Sequence, residues 1–282
     1  MNFGGIPPSL SAYDTSPVVI LPVPFDATST WIKGADRGPD AILEASANME
    51  LYDIDTDSEV YLKGIFTADP ILEEKSPEKL AQNVHRTVKK FLNDGKFVVT
   101  LGGEHSVSIG VAQAYAEAFP GLCVLQIDAH TDLRPEYEGS RFNHACVMSR
   151  IREWCPIVQV GIRSMDIVEK PYLQQDRIFY ARDIVGSHEN WIDRVIGKLD
   201  EKVYVTIDLD GFDPSIVPAT GTPEPGGLSY YDVISLLRKL VVARKLVGFD
   251  VVELCPIPGN KASDFLASKL IYQILSYQFY GH

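Results

Sequence analysis

The sequence predicts an α/β protein whose core is a mostly parallel sheet covered by helices on both faces. Three observations predict it. Short apolar runs rich in β-branched residues recur along the chain, amphipathic stretches lie between them, and four of the runs end in a histidine or an acidic residue. A strand buried on both faces reads as a continuous apolar run. Its alternation with helices is the pattern of a parallel sheet.

The first strand is expected over residues 18–22, ahead of a long polar segment at 26–39. An amphipathic helix over 77–93 leads to a strand at 97–101, which stops at Gly102-Gly103-Glu104-His105. A helix over 106–119 leads to a strand at 122–127, which stops at Asp128-Ala129-His130-Thr131-Asp132 and is followed by polar segment 133–143. Strands at 157–160 and 178–180 come next, then a helix over 188–199 and a strand at 203–207 ending in Asp208-Leu209-Asp210. Segment 211–227, dense in proline and glycine, separates it from a helix over 229–243, a strand at 246–252 closed by Glu253, and a helix over 263–277. Compact folds join elements by short connections, so these three long polar segments are expected to carry function. The last two follow carboxylate clusters and should wall a crevice. No repeat or linker divides residues 1–282, which read as a single domain.

Composition narrows the function. At 282 residues, 45% hydrophobic and 23% charged, the chain is neither disordered nor a membrane protein. No apolar run approaches the ~20 residues of a membrane span, and Met1-Asn2-Phe3-Gly4-Gly5 lacks the features of a signal peptide, so a cytoplasmic location is expected. A net charge of -12 argues against a nucleic-acid partner and suits a small cationic substrate. Cys123, Cys146, Cys155 and Cys255 show no CxxC pairing and read as buried thiols.

Parallel sheets bind ligands beyond the carboxyl ends of their strands. In an extended chain, steps of two share a face, so Asp128, His130 and Asp132 should point together, as should Asp208 and Asp210. With His105 they make six side chains, enough for two divalent ions when carboxylates bridge. Carboxylates with imidazoles suit manganese better than zinc in a thiolate cage. Paired metals lower the pKa of bound water, so metal-assisted hydrolysis is the expected chemistry. Each piece has a plainer reading. Gly102-Gly103 could bind an anion but lacks nucleotide-loop spacing, an isolated Asp-x-Asp often caps a helix, and a lone histidine is usually structural. Three such clusters at strand ends make coincidence a poor account.

Gly102-Gly103-Glu104-His105-Ser106, Asp128-Ala129-His130-Thr131-Asp132 and Asp208-Leu209-Asp210-Gly211-Phe212-Asp213-Pro214 resemble the three signature segments of the ureohydrolases, the arginase and agmatinase family. The resemblance runs from Pro22-Val23-Pro24-Phe25 through Gly34-Ala35-Asp36-Arg37-Gly38-Pro39 to the last strand. It implies a three-layer α/β/α fold with an eight-stranded parallel sheet, two Mn2+ per subunit, and a homotrimer or homohexamer. By the same resemblance, His105 binds one ion and His130 the other, Asp128 and Asp208 bridge, Asp132 completes the first site and Asp210 the second. Asp132 would also relay a proton, Glu253 would receive the guanidinium, and His144 would shuttle protons.

Agmatine, cleaved to putrescine and urea, is the expected substrate. Leu133-Arg134-Pro135-Glu136-Tyr137-Glu138-Gly139 resembles the agmatinase version of its loop, with no Ser and Asn clamp for a carboxylate. Glu136 or Glu138 is a candidate for the substrate's ammonium. Two departures stand out: Thr206 replaces the usual serine, and Pro256-Ile257-Pro258-Gly259-Asn260 lacks an expected aspartate. Aminopropylagmatine, guanidinobutyrate, formiminoglutamate and arginine remain open, as does a catalytically silent metal-binding regulatory subunit, although the complete residue set argues against silence. His85, His188 and His282 are expected at the surface.

Overall fold

The computed structural model describes residues 1–73, 75–186 and 190–281. Strands β1 (Val18–Val23), β2 (Ile65–Thr67), β3 (Phe97–Gly102), β4 (Leu122–Ile127), β5 (Ile157–Ile162), β6 (Ile178–Tyr180), β7 (Lys202–Asp208) and β8 (Lys245–Val252) form one sheet. Its order is β2-β1-β3-β8-β7-β4-β5-β6, and every neighbouring pair is parallel. All seven expected runs are strands. The eighth, β2, escaped sequence reading because it has three residues and pairs only with β1 at the sheet edge.

Among the described residues seven α-helices cover the sheet: α1 (Gly38–Ser46), α2 (Pro77–Asn93), α3 (Val107–Ala118), α4 (Val147–Ile151), α5 (Trp191–Ile196), α6 (Tyr230–Ala243) and α7 (Ala262–Tyr280). Burial divides them into two layers. Residues of α1, α5, α6 and α7 join one apolar cluster with Val18 and Ile20 of β1, while those of α2, α3 and α4 join another with Val19 and Leu21. The alternation along β1 shows why each strand must be apolar on both faces.

Local chemistry starts the helices. The Ser76 hydroxyl accepts from Lys79 N at 3.2 Å and Pro77 follows, a cap and first-turn proline that open α2. Leu80, Val84, Val88 and Phe91 then face the sheet at helical spacing. Ser229 and Asp232 form a reciprocal capping box for α6. The helices α1 and α4 were hidden by their length, nine and five residues, and α1 also by starting in the last two residues of the polar segment 26–39. For α5, the helix within the described residues is Trp191–Ile196; the expected start at His188 lies outside them. The four cysteines are buried and unpaired, and among the described residues no helix is long and apolar enough to cross a membrane.

The backbone of α3 comes close to α2 at Gly110, where a Cβ would lie 2.3 Å from the Ala81 carbonyl oxygen. Gly110→Ala should therefore lower stability by about 1–3 kcal/mol, through overpacking that no flexible side chain can relieve. A urea denaturation midpoint equal to that of the parent would contradict this close approach.

Candidate active site

Four adjacent strands, β3, β8, β7 and β4, bring their carboxyl ends to one place. His105 follows β3, Glu253 follows β8, Asp208 closes β7 and Asp128 follows β4. Donor atoms of His105, Asp128 and Asp132 lie within 4.8 Å of one another, and so do those of Asp128, His130 and Asp210. His105 Nδ1 is 2.9 Å from Asp132, 3.2 Å from Asp128 and 3.3 Å from Asp208. It is buried and makes no hydrogen bond. One ring nitrogen cannot serve three carboxylates, so the donor set fits a divalent cation where they converge. His130 Nδ1 lies 2.9 Å from Asp210 and 3.7 Å from Asp128, a second group sharing Asp128 with the first.

The clusters do not converge by extended-chain alternation. Beyond β4 and β7 the backbone leaves the strand and each cluster folds on itself: Asp128 Oδ1 accepts from His130 N at 2.6 Å, and Asp208 Oδ1 from Asp210 N at 2.8 Å. Ala129 N donates to Asp210 Oδ1 at 3.0 Å and ties the two together. Asp132 and Glu253 reach the site in left-handed conformations, with φ of 51° and 65°. Non-glycine residues rarely adopt this region, and such strain, about 1–3 kcal/mol each, collects at functional sites. At Gly103 a Cβ would sit 2.0 Å from the Phe25 carbonyl oxygen, so the turn before His105 passes only as glycine.

Several supporting residues were not found from sequence. Thr206 Oγ1 donates to Asp250 at 2.6 Å and sits 2.9 Å from His105 Nε2; Tyr204 OH donates to the other Asp250 oxygen at 2.6 Å. With the hydroxyl proton committed to Asp250, His105 donates from Nε2 and turns Nδ1 to the carboxylates. The departure from serine at Thr206 therefore keeps the group that matters. Arg163 donates to the carbonyls of Gly161, Asp210, Gly211, Phe212, Glu224 and Pro225, joining the loop after β7 to the 221–227 segment. Glu169 accepts from the Thr131 hydroxyl and, at 2.8 Å, from Leu133 N. Strand periodicity could have found Tyr204 and Thr206, which share a face of β7 with Asp208. Arg163 binds only carbonyls, which leave no trace in sequence.

Charge is concentrated here. Burial raises the pKa of Asp132, Asp208 and Glu253, and the neighbouring carboxylates of Asp128, Asp210 and Glu104 respectively add to it. Burial opposes a proton on His105 and on His130, but the surrounding aspartates outweigh it and raise both well above the usual range. His144 moves the other way, to about 4, through burial and then the positive His105 and His130.

A cavity of about 300 Å³ stands over the cluster. His105, His130, Asp132, Asp208, Asp210, His144 and Glu253 line it. All three long polar segments contribute to its wall, through Ser29 to Ile32, Arg134 and Tyr137, and Gly221 and Thr222. Glu136 and Glu138 do not: both are exposed and turned away, and Asp166 and Glu169 line the cavity instead. Asp128 lies beneath the lining, fully buried. His85 faces Glu117 on α3 at 3.0 Å and takes no part in the cavity, while His188 and His282 lie outside the described residues.

A parallel sheet with this cluster and cavity at its carboxyl edge defines a hydrolase acting on the C–N bonds of amidines, a ureohydrolase. Residues 16–276 match the arginase family, and the chain belongs to it. It is 38% identical over 280 residues to the N(1)-aminopropylagmatine ureohydrolase of a Synechocystis strain, covering 95% of this chain and 91% of that one. It is 36% identical to the agmatinase of Pyrococcus horikoshii, covering 91% and 90%. The agmatine ureohydrolase of Thermoplasma volcanium superposes with a TM-score of 0.88 at 31% identity, covering 99% of this chain and 94% of that one. Proclavaminate amidino hydrolase from Streptomyces clavuligerus gives 0.89 at 27%, covering 100% and 98%.

The raised pKa values make cation uptake a proton exchange. His105 and His130 hold protons until a cation competes for the same atoms, so binding should release protons at neutral pH and weaken as pH falls. Calorimetry of metal uptake in buffers of different ionisation enthalpy measures this. Uptake with no proton release, or affinity rising towards acid pH, would reject the shared donor set.

Proposed function

We propose that this chain is a manganese-dependent ureohydrolase that cleaves the guanidinium group of agmatine or a close derivative, releasing urea and an amine. The observation that supports it is a cavity whose floor is the His/Asp cluster with Glu253, and whose lining carries six carboxylates, of Asp132, Asp166, Glu169, Asp208, Asp210 and Glu253. The one guanidinium in that lining, Arg134, is held by Asp166 at 3.1 Å and lies 4.2 Å over the Tyr137 ring. A cationic substrate is favoured, and a free carboxylate such as that of arginine finds no unpaired cation.

His105, Asp128, Asp132 and Asp208 would hold one Mn2+, and Asp128, His130, Asp208 and Asp210 the other. Bound there, the pair would lower the pKa of a water towards neutrality and stabilise developing negative charge. Glu253 receives the guanidinium. Its Oε1 already accepts from His105 N at 2.7 Å, which leaves Oε2 and the remaining lone pairs for parallel N–H groups. Asp132 takes the proton released as water attacks the guanidinium carbon. His144, neutral at physiological pH, accepts that proton from Asp132 and passes it to the departing amine as the C–N bond breaks.

N(1)-aminopropylagmatine is a second reading, supported by the name of the Synechocystis relative. The cavity walls support it too, because Trp31 and Met165 line them while 69% and 41% exposed, an apolar entrance suited to a longer polymethylene chain. A cytoplasmic location and a homotrimeric or homohexameric assembly belong to the same proposal.

Asp132→Asn should reduce kcat by a factor on the order of 10²–10⁴ with the fold intact, as expected for loss of a positioned proton acceptor. Near-normal urea release would reject that role. With Mn2+ present, agmatine or N(1)-aminopropylagmatine should exceed arginine, guanidinobutyrate and formiminoglutamate in kcat/KM. Urea and formamide are the products to assay, and arginine turning over fastest would overturn the substrate reading.

A further inference from the structure

His144 is held by a residue 116 positions away in the chain. Its backbone N donates to Thr28 Oγ1 at 3.0 Å, and its ring Nδ1 lies 3.1 Å from the same oxygen. Thr28 is buried in the loop after β1 and has no place in the family's signature segments. Glu104 interacts with the same hydroxyl. The two Glu104 oxygens also accept, at 2.8 Å each, from the backbone N and the hydroxyl of Ser106.

A threonine hydroxyl has one proton and two lone pairs. The His144 backbone N–H occupies one lone pair and ring Nδ1 meets the same oxygen, so one hydroxyl fixes both the backbone and the ring. A ring held at Nδ1 leaves Nε2 for the cavity that His144 lines. The charged or titratable groups around the ring are Glu104 behind Thr28, His105 and His130 in the cluster, Lys33 on the Thr28 loop, and Tyr137, whose ring meets His144 edge-on at 6.3 Å.

We propose that Thr28 is a positioning residue for His144, fixing its ring in one orientation and one tautomer so that Nε2 is the atom presented to substrate. The catalytic consequence rests on the reading that His144 moves a proton in guanidine hydrolysis; the tautomer does not.

The test compares Thr28→Val, which keeps the shape and loses the hydroxyl, with Thr28→Ser, which keeps the hydroxyl. Long-range 1H–15N correlation spectra of metal-free, 15N-histidine-labelled protein, with the His144 signal assigned by His144→Asn, should show one and the same tautomer in the parent and in Thr28→Ser. Thr28→Val should show a mixture. In turnover, Thr28→Val should lose about tenfold or more in kcat with KM little changed and a shifted pH profile. Thr28→Ser should stay close to the parent, and Thr28→Val should cost nothing further in a His144→Asn background. A mixture of tautomers in the parent overturns the proposal whatever the variants do. So does equal impairment of both variants, or an undiminished Thr28→Val effect without His144. If instead His144→Asn hydrolyses guanidines at the parental rate while the spectra are as expected, the proton role of His144 fails and the positioning by Thr28 stands.

Discussion

Four aspartates and two histidines buried against one another are the constraint around which the rest of the molecule is arranged. Removing one ion from water costs several kcal/mol even after relaxation, and like charges do not offset each other. The structure answers with oriented donors: the backbone N–H groups of His130, Asp210 and Ala129 each point at a carboxylate oxygen of the cluster. The imidazoles add positive charge, and cations would complete the balance. Only strands running in one direction can deliver so many polar termini to one edge. The order β3-β8-β7-β4 makes those strands neighbours.

The sequence was most informative where chemistry is local. Asp128, His130 and Asp132 stand within five residues, and Asp208 and Asp210 within three, so each group could be recognised with no knowledge of the fold. Their convergence followed from the apolar runs in front of them. Contacts across the chain were not legible: His105 meets Thr206 across 101 positions, and His144 meets Thr28 across 116. The loop after Asp132 shows a subtler limit. Its acids were visible, but Tyr137 and Ser140 close a tight turn with Glu138 and Gly139 at positive φ, which puts Glu138 at the tip and leaves Arg134 and Tyr137 to line the cavity. Asp166 and Glu169 lie after β5, where no motif marked them. The short elements β2, α1 and α4 were missed for want of length, which periodicity needs.

Rigidity at the site comes from polar ties rather than apolar packing alone. Arg163 gathers six carbonyls with one planar guanidinium, a geometry that lysine's compact ammonium cannot reproduce. Asp250 closes a buried chain from Tyr204 through Thr206 to His105. Such networks hold their members in one geometry when every polar group is satisfied.

The two parts of the cavity have different origins. The floor is made from strand termini and the turns that leave them, whereas much of the entrance is loop: Ser29 to Ile32, Arg134 and Tyr137, and Ser164 to Asp166. Surface connections accept insertions and replacements at small thermodynamic cost, because closure entropy grows only slowly with length. Variation can therefore redraw what the mouth admits while the sheet edge stays untouched. Relatives on this fold that bear names as different as agmatine ureohydrolase and proclavaminate amidino hydrolase are the diversity such a division allows.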